Sequence, residues 1–135
     1  MKIPNGFFRT SIKGLVLDKK KRYLLCHEEN GQWDLPGGAM DFGEKYEETL
    51  KREIMEEMGL EVIKIGKYPL YFMTSLSLKK FHKTNIVFEI EVENLNFTSS
   101  KECTEIRFFD KKSVLKENIS SGVREFAKIY DPKRH

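Results

Sequence analysis

Glu53, Glu56 and Glu57 return to the same side of any helix that carries them, because residues three and four apart are neighbours on a helical surface. Three carboxylates in one arc repel one another, roughly a few tenths of a kcal/mol per pair even in water, so their grouping calls for a cause. Carboxylate oxygens are hard ligands suited to Mg²⁺ or Mn²⁺, ions that keep several waters and bind phosphates at the same time. Arg52 stands beside the cluster and can grip a carboxylate through two parallel hydrogen bonds. Upstream, Pro36-Gly37-Gly38 lacks side chains where a backbone carbonyl would have to approach a bound group closely. Three glutamates alone would read as a solvated acidic face; the arginine and the paired glycines separate this segment from that reading.

Positioning these groups requires a helix with a buried side. From Glu44 to Met58 there is no Gly or Pro, and Gly59 follows as a stop signal. Leu50, Ile54 and Met58 form an apolar stripe next to the acidic arc, suited to packing on a sheet. Before the helix, Thr10–Leu17 reads as a strand, Asp18–Arg22 as a charged turn and Tyr23–His27 as a second strand, a pair that suits a hairpin. Asn30-Gly31 and Pro36-Gly37-Gly38 mark loops. After the helix, Glu61–Lys67, Leu70–Leu78, Asn85–Val92 and Ile106–Asp110 read as extended, and Ser120–Tyr130 as a closing helix. The pattern predicts one mixed α/β domain over residues 1–135, with a central helix among strands and no repeat or linker.

Composition narrows the functional classes. The chain has 24 Lys and Arg against 21 Asp and Glu, a formal charge of +3. That near balance argues against intrinsic disorder and against a dedicated nucleic-acid binder. No apolar run reaches the length of a membrane span, and the N-terminus carries no secretory pattern. Cys26 and Cys103 lack metal-ligand spacing and read as small buried hydrophobes in a reducing compartment, so a cytoplasmic location is expected.

With these elements in place the central segment becomes recognisable. Gly38, Glu44, Arg52-Glu53-Ile54-Met55-Glu56-Glu57-Met58-Gly59-Leu60 resembles, at every defining position from 38 to 60, the Nudix box of the MutT-like Nudix hydrolase superfamily. The lead-in Trp33-Asp34-Leu35-Pro36-Gly37-Gly38 is similar to the one that commonly precedes the box. The resemblance implies an α/β/α sandwich with a central mixed sheet and a catalytic loop-helix-loop. It implies a Mg²⁺- or Mn²⁺-dependent hydrolase that cleaves a nucleoside diphosphate linked to another group.

The resemblance also implies roles. Glu56 and Glu57 are the expected principal metal ligands, with Glu53 a third ligand or the base that takes a proton from water, and a carbonyl near Gly37 or Gly38 completing the shell. Arg52 is expected to orient Glu53, and Glu44 to pair with Arg52 or reach the metal through water. Relatives sometimes place the base in a loop before a late strand, where this chain has Glu102, with Glu105 next in line. Arg9 and Lys13 on the first strand are candidate phosphate contacts, with a snorkelled edge lysine the alternative for Lys13; His27 and Trp33 are candidate substrate contacts, with a plain strand-end residue and packing beneath the Gly-Gly turn as their alternatives. Lys79-Lys80-Phe81-His82-Lys83 reads as a basic hairpin tip, able to track a nucleic-acid backbone but more simply a solubilising loop.

The signatures of the ADP-ribose, dinucleoside polyphosphate and coenzyme A sub-families are missing; Met73-Thr74-Ser75-Leu76, for example, replaces the Pro of the first. Small nucleoside triphosphates are therefore the first expectation, ahead of nucleotide-sugars and RNA 5′ ends. A nucleotide-sensing module without catalysis and a protein-interaction surface remain as other classes. The chain is expected to act as a monomer or homodimer on a small-molecule substrate, away from membranes.

Overall fold

The computed structural model describes residues 6–135. The chain order is β1 (Phe8–Leu15), β2 (Tyr23–His27), β3 (Trp33–Asp34), β4 (Gly37–Ala39), α1 (Tyr46–Met58), β5 (Val62–Ile65), β6 (Tyr71–Leu76), β7 (His82–Val92), β8 (Glu105–Phe109), α2 (Lys111–Val114) and α3 (Ser121–Ile129), then a short 3-10 turn. The larger sheet is mixed and runs β4-β1-β7-β5, with β6 also on β7; the smaller one is antiparallel, β3-β2-β8. Within the larger sheet β1 and β7 are parallel from Phe8↔His82 to Leu15↔Glu89.

The expected hairpin of the first two strands exists only at its tip. Leu17 bridges Tyr23, and Leu24 N–H donates to the Val16 carbonyl, but β1 and β2 then part into different sheets. Both strands feed both sides: Ile12, Val16, Leu24 and Cys26 pack on the α1 side, and Leu15, Tyr23 and Leu25 on the α3 side. The structure thus has two cores. One joins Leu50, Ile54 and Met58 of α1 to Ile12, Phe88 and Ile90, and the other joins Val123, Phe126 and Ala127 of α3 to Leu15, Val87 and Phe109. Helices therefore lie on both sides of the sheets, an α/β sandwich.

α1 matches the sequence reading closely. Glu48 accepts a hydrogen bond from Lys45 N–H at its start, and Gly59 ends it in the left-handed region, with φ 65°. Leu50, Ile54 and Met58 are fully buried, and Tyr46 stacks on Phe88 at 4.3 Å. Pro36-Gly37-Gly38, expected as a loop, instead leads into β4, which pairs with β1 as Lys13↔Gly37 and Ile12↔Gly38. β3 and α2, too short to leave a periodic trace, were absent from the sequence pattern.

That pairing leaves no room for side chains. Gly37 has φ 118°, and a Cβ there would drive into the Ile12 carbonyl oxygen, closer than any real Cβ approaches. Gly43, with φ 90°, has open space around it. Gly43→Ala should therefore cost only the left-handed backbone penalty, about 1–2 kcal/mol. Gly37→Ala should cost clearly more, because strand β1 must also move. Urea unfolding of the two variants checks this; equal losses would mean that the β1–β4 contact is not tight.

Candidate active site

The acidic face of α1 is organised by Arg52. Its Nε donates to Glu44 Oε2 at 2.8 Å and its Nη2 to Glu44 Oε1 at 2.9 Å, a two-point grip. Nη1 reaches Glu53 at 2.9 Å and Glu56 at 3.4 Å, and Nη2 also donates to the Ala39 carbonyl at 3.1 Å. Glu44 additionally accepts from Thr49 Oγ1 and Asp41 N–H. The Arg52 hydrogen bonds, with those from the Asp41 amide and Thr49, hold its carboxyl well below the usual range. Glu44 is thus bound to the arginine, on the far side from Glu57.

Glu57 is buried, and its Oε1 accepts from Gly37 N–H at 2.8 Å. Burial pushes its pKa well up, against the pull of Lys13 and the Gly37 amide. Burial also raises Glu53, despite Arg52. The Glu53 carboxylate packs so tightly on Gly38 that a Cβ there would stand 2.5 Å from its carboxyl carbon. Glu56 keeps a half-exposed side chain. Among the described residues no three acidic, His or Cys side chains are placed together to hold a metal ion, and Glu44, Glu53 and Glu56 meet on the Arg52 guanidinium instead. The donor set nevertheless suits a divalent cation: hard oxygens, two carboxylates whose charge is disfavoured by burial, and a glycine cradle that leaves their approach open.

Lys13 corrects one expectation. It is 5% exposed and does not face a phosphate cleft. Its Nζ donates to Asp34 at 3.3 Å, to the Leu35 carbonyl at 3.2 Å and to the Gly37 carbonyl at 3.5 Å, which uses all three hydrogens. Burial disfavours its charge, but Asp34, Glu57 and Glu28 together outweigh it and raise the pKa. Lys13 braces the Gly37 turn from below.

Trp33 and His27 take the structural of their two readings. Trp33 is 3% exposed, enclosed by His27, Phe109 and the Arg107 guanidinium at 4.9 to 5.0 Å, and has no face free for a base. His27 lies edge-on to Trp33 with Nδ1 3.2 Å from Thr104 Oγ1. Neither lines the large cavity. Arg107 is a residue that sequence reasoning missed, and Glu105 merely pairs with it at 2.8 Å. Glu102 is exposed on a turn between Ser100 and Cys103. That turn is tied to α1 by Ser100 Oγ, which donates to the Glu57 carbonyl, and to the strand-end loop by Glu29 N–H donating to Lys101. The charge of Glu102 is near enough to raise both Glu53 and Glu28.

Arg9 does line a cavity, one of about 640 Å³ beside the β1 end of the sheet. Its floor is β1, β7 and β6, where Arg9 pairs with Lys83 and Ser75 with Lys83 in register. Glu28 and Asp34 form one wall, the start of α3 another, and Phe81 and Lys79 of the basic tip a third. So Lys83 belongs to the site rather than to a solubilising loop; burial, then Lys13, lowers its pKa. Glu28 and Asn85 were not singled out by sequence, although Asn85 is a polar residue at an inward position of an apolar strand, which is a legible signal. From Arg9 to Lys13 is about 13 Å of strand at roughly 3.3 Å per residue, so the cavity and the acidic face lie within the span of one nucleotide.

Comparison with known proteins agrees with this geometry. The NUDIX domain family model matches residues 8–128. The nucleoside triphosphatase NudI of Enterobacter sp. (strain 638) is 26% identical over 123 residues, 81% of this chain and 87% of that protein. The MutT protein of Methanosarcina mazei Go1 shares the fold with a TM-score of 0.80 at 24% identity, over 98% of this chain and 99% of that one. A MutT Nudix hydrolase from Burkholderia pseudomallei follows at 0.72 and 18%, covering 91% and 98%.

Burial, with Asp34 adding to it, raises Glu28 from an ordinary value of 4.5 to about 7. The folded state therefore holds this proton more tightly than the unfolded chain. The stability it contributes is complete below about pH 4.5 and is lost as pH rises through about 7. Glu28→Gln should thus raise the melting temperature relative to wild type at pH 8 and leave it unchanged at pH 4.5. A gain of equal size at both pH values would refute the buried, proton-holding carboxyl.

Proposed function

Since the chain belongs to the NUDIX domain family, we propose that it is a divalent-metal-dependent pyrophosphohydrolase whose substrate is a nucleoside triphosphate, cleaved to the nucleoside monophosphate and pyrophosphate. The observation that carries this reading is the shared strand β1. Its end at Arg9 lines a cavity large enough for a nucleoside, and its Lys13 end supports the glycine turn packed against Glu53 and Glu57. The NudI relative named as a nucleoside triphosphatase supports the choice of substrate.

Glu53, Glu56, Glu57 and a carbonyl at Gly37 or Gly38 would hold Mg²⁺ or Mn²⁺. When bound, the metal neutralises phosphate charge and lowers the pKa of a coordinated water. The residues of the chain do the rest. Arg52 orients the Glu53 carboxylate, with Glu44 locking the guanidinium in place. Gly37 N–H and the charge of Lys13 hold Glu57 in its buried position. Glu53 serves as the proton acceptor from the attacking water, and Glu102, on its exposed turn, is the second candidate for that role. Arg9 and Lys83 supply positive charge along the path from base to phosphates.

No described helix is long and apolar enough to cross a membrane. A nucleotide is also the more natural occupant than a polymer: Lys79 and Lys83 of the basic segment line a walled cavity rather than an open track.

Glu56→Gln removes one charged ligand oxygen from a half-exposed side chain, so the fold should survive. Turnover should fall by more than the roughly 10- to 100-fold that loss of a supporting partner costs. Pyrophosphate release with Mg²⁺ and a nucleoside triphosphate panel measures it. Near wild-type activity in this variant would overturn the ligand assignment.

A further inference from the structure

The polar groups around the cavity are unevenly committed. Asn85 lies on β7, opposite Ser11 of β1 and Met73 of β6, and is 2% exposed. Its Nδ2 donates to Ser75 Oγ at 2.8 Å and to the Met73 carbonyl at 3.4 Å. A carbonyl oxygen can face only the amino side of an amide, so the orientation is fixed and both hydrogens are spent. No hydrogen bond among the described residues reaches Oδ1. The side chain lies under the first turn of α3, where a Cβ on Gly122 would sit 3.7 Å from both amide heavy atoms. Beside it, the buried Ser11 hydroxyl has no partner among the described residues.

Ser121 and Gly122 open α3, and both line the cavity. The Ser120 hydroxyl accepts from Val123 N–H, and its carbonyl accepts from Arg124 N–H. The amides of Ser121 and Gly122 precede those bonds and have no partner within the helix. The nearby hydroxyls are already engaged, Ser120 donating to Asp34 and Ser121 to the Leu76 carbonyl. The wall therefore offers one fixed acceptor beside two free donors.

We propose that Asn85 selects the base of the substrate, admitting bases with a ring N–H next to a carbonyl: uracil, thymine, guanine and hypoxanthine. The ring N–H donates to Asn85 Oδ1. The neighbouring carbonyl oxygen, with two lone pairs, accepts from the amides of Ser121 and Gly122. Cytosine and adenine present there a ring nitrogen with a single lone pair, which satisfies one amide and strands the other. Phe81 and Leu78 give the ring an apolar wall. The inference rests on the nucleotide hydrolase reading for the reaction, but the mode of base binding is separable from it.

The test compares kcat and KM for dTTP, dUTP, dGTP, dCTP and dATP with Mg²⁺ in wild type, Asn85→Leu and Ser75→Ala. Wild type should favour the first three by about 10-fold or more in kcat/KM, the cost of one stranded donor. Asn85→Leu should erase that ranking, mainly through KM. Ser75→Ala frees one amide hydrogen and lets the group turn, so it should narrow the ranking without erasing it. Melting-temperature shifts with thymidine and cytidine 5′-monophosphates give a readout that needs no turnover: thymidine should stabilise wild type more, and Asn85→Leu should equalise the two. A wild type that prefers dCTP or dATP, a ranking unchanged in both variants, or equal shifts in wild type would overturn the assignment. Absence of hydrolysis alongside a thymidine-selective shift would overturn the hydrolase reading and leave Asn85 standing.

Discussion

Four carboxylates on or beside one helix must be held together against their own repulsion, and the surroundings of α1 answer that requirement. Arg52 takes the charge of Glu44 through two hydrogen bonds and shares its remaining donors between Glu53 and Glu56. Glu57 goes inward instead, onto the Gly37 amide, and depends on the buried charge of Lys13. Lys13 in turn needs Asp34, whose own burial is offset first by Lys13 and then by Lys83 and Ser120. The chain of opposite charges runs from the helix through β1 to the cavity wall. The formal charge of +3 describes none of this; the positions of a few cations do.

β1 is the physical link between the two halves of the site. Side chains alternate across a strand, so Arg9, Ser11 and Lys13 share one face. Arg9 faces the cavity and Lys13 the underside of the glycine turn, while Ile12 on the opposite face packs with α1. A one-residue slip that put Ala39 opposite Ile12 would bring a methyl group against Glu53 where Gly38 now lies. The glycines thus set register as well as clearance.

The helix and its motif were legible because they are local. Leu50, Ile54 and Met58 repeat at helical spacing, and Gly59 closes the helix within the same stretch. The four glutamates and Arg52 were legible for the same reason. What escaped was set by distant partners. Lys13 looked available because nothing in its neighbourhood in sequence reveals Asp34, Leu35 and Gly37 waiting for its three hydrogens. Trp33 could be read either as a substrate contact or as packing, because its enclosure by Phe109 and Arg107 comes from the other end of the chain. The short strands β3 and β4 likewise exist only through pairing.

The parallel pairing of β1 with β7 joins segments roughly seventy residues apart, since Phe8 meets His82. Such a contact closes a long loop before any of its hydrogen bonds are gained, which makes it slow to form. Until it does, Arg9 and Lys83 are separate and the cavity has no floor. During synthesis β1, β4 and α1 all leave the ribosome before β7 exists, so Lys13, the Gly37 turn and Glu57 are available to one another while the cavity still lacks a strand. The acidic face thus rests on partners close in the chain, and the binding cavity on the one late event that brings β1 and β7 into register.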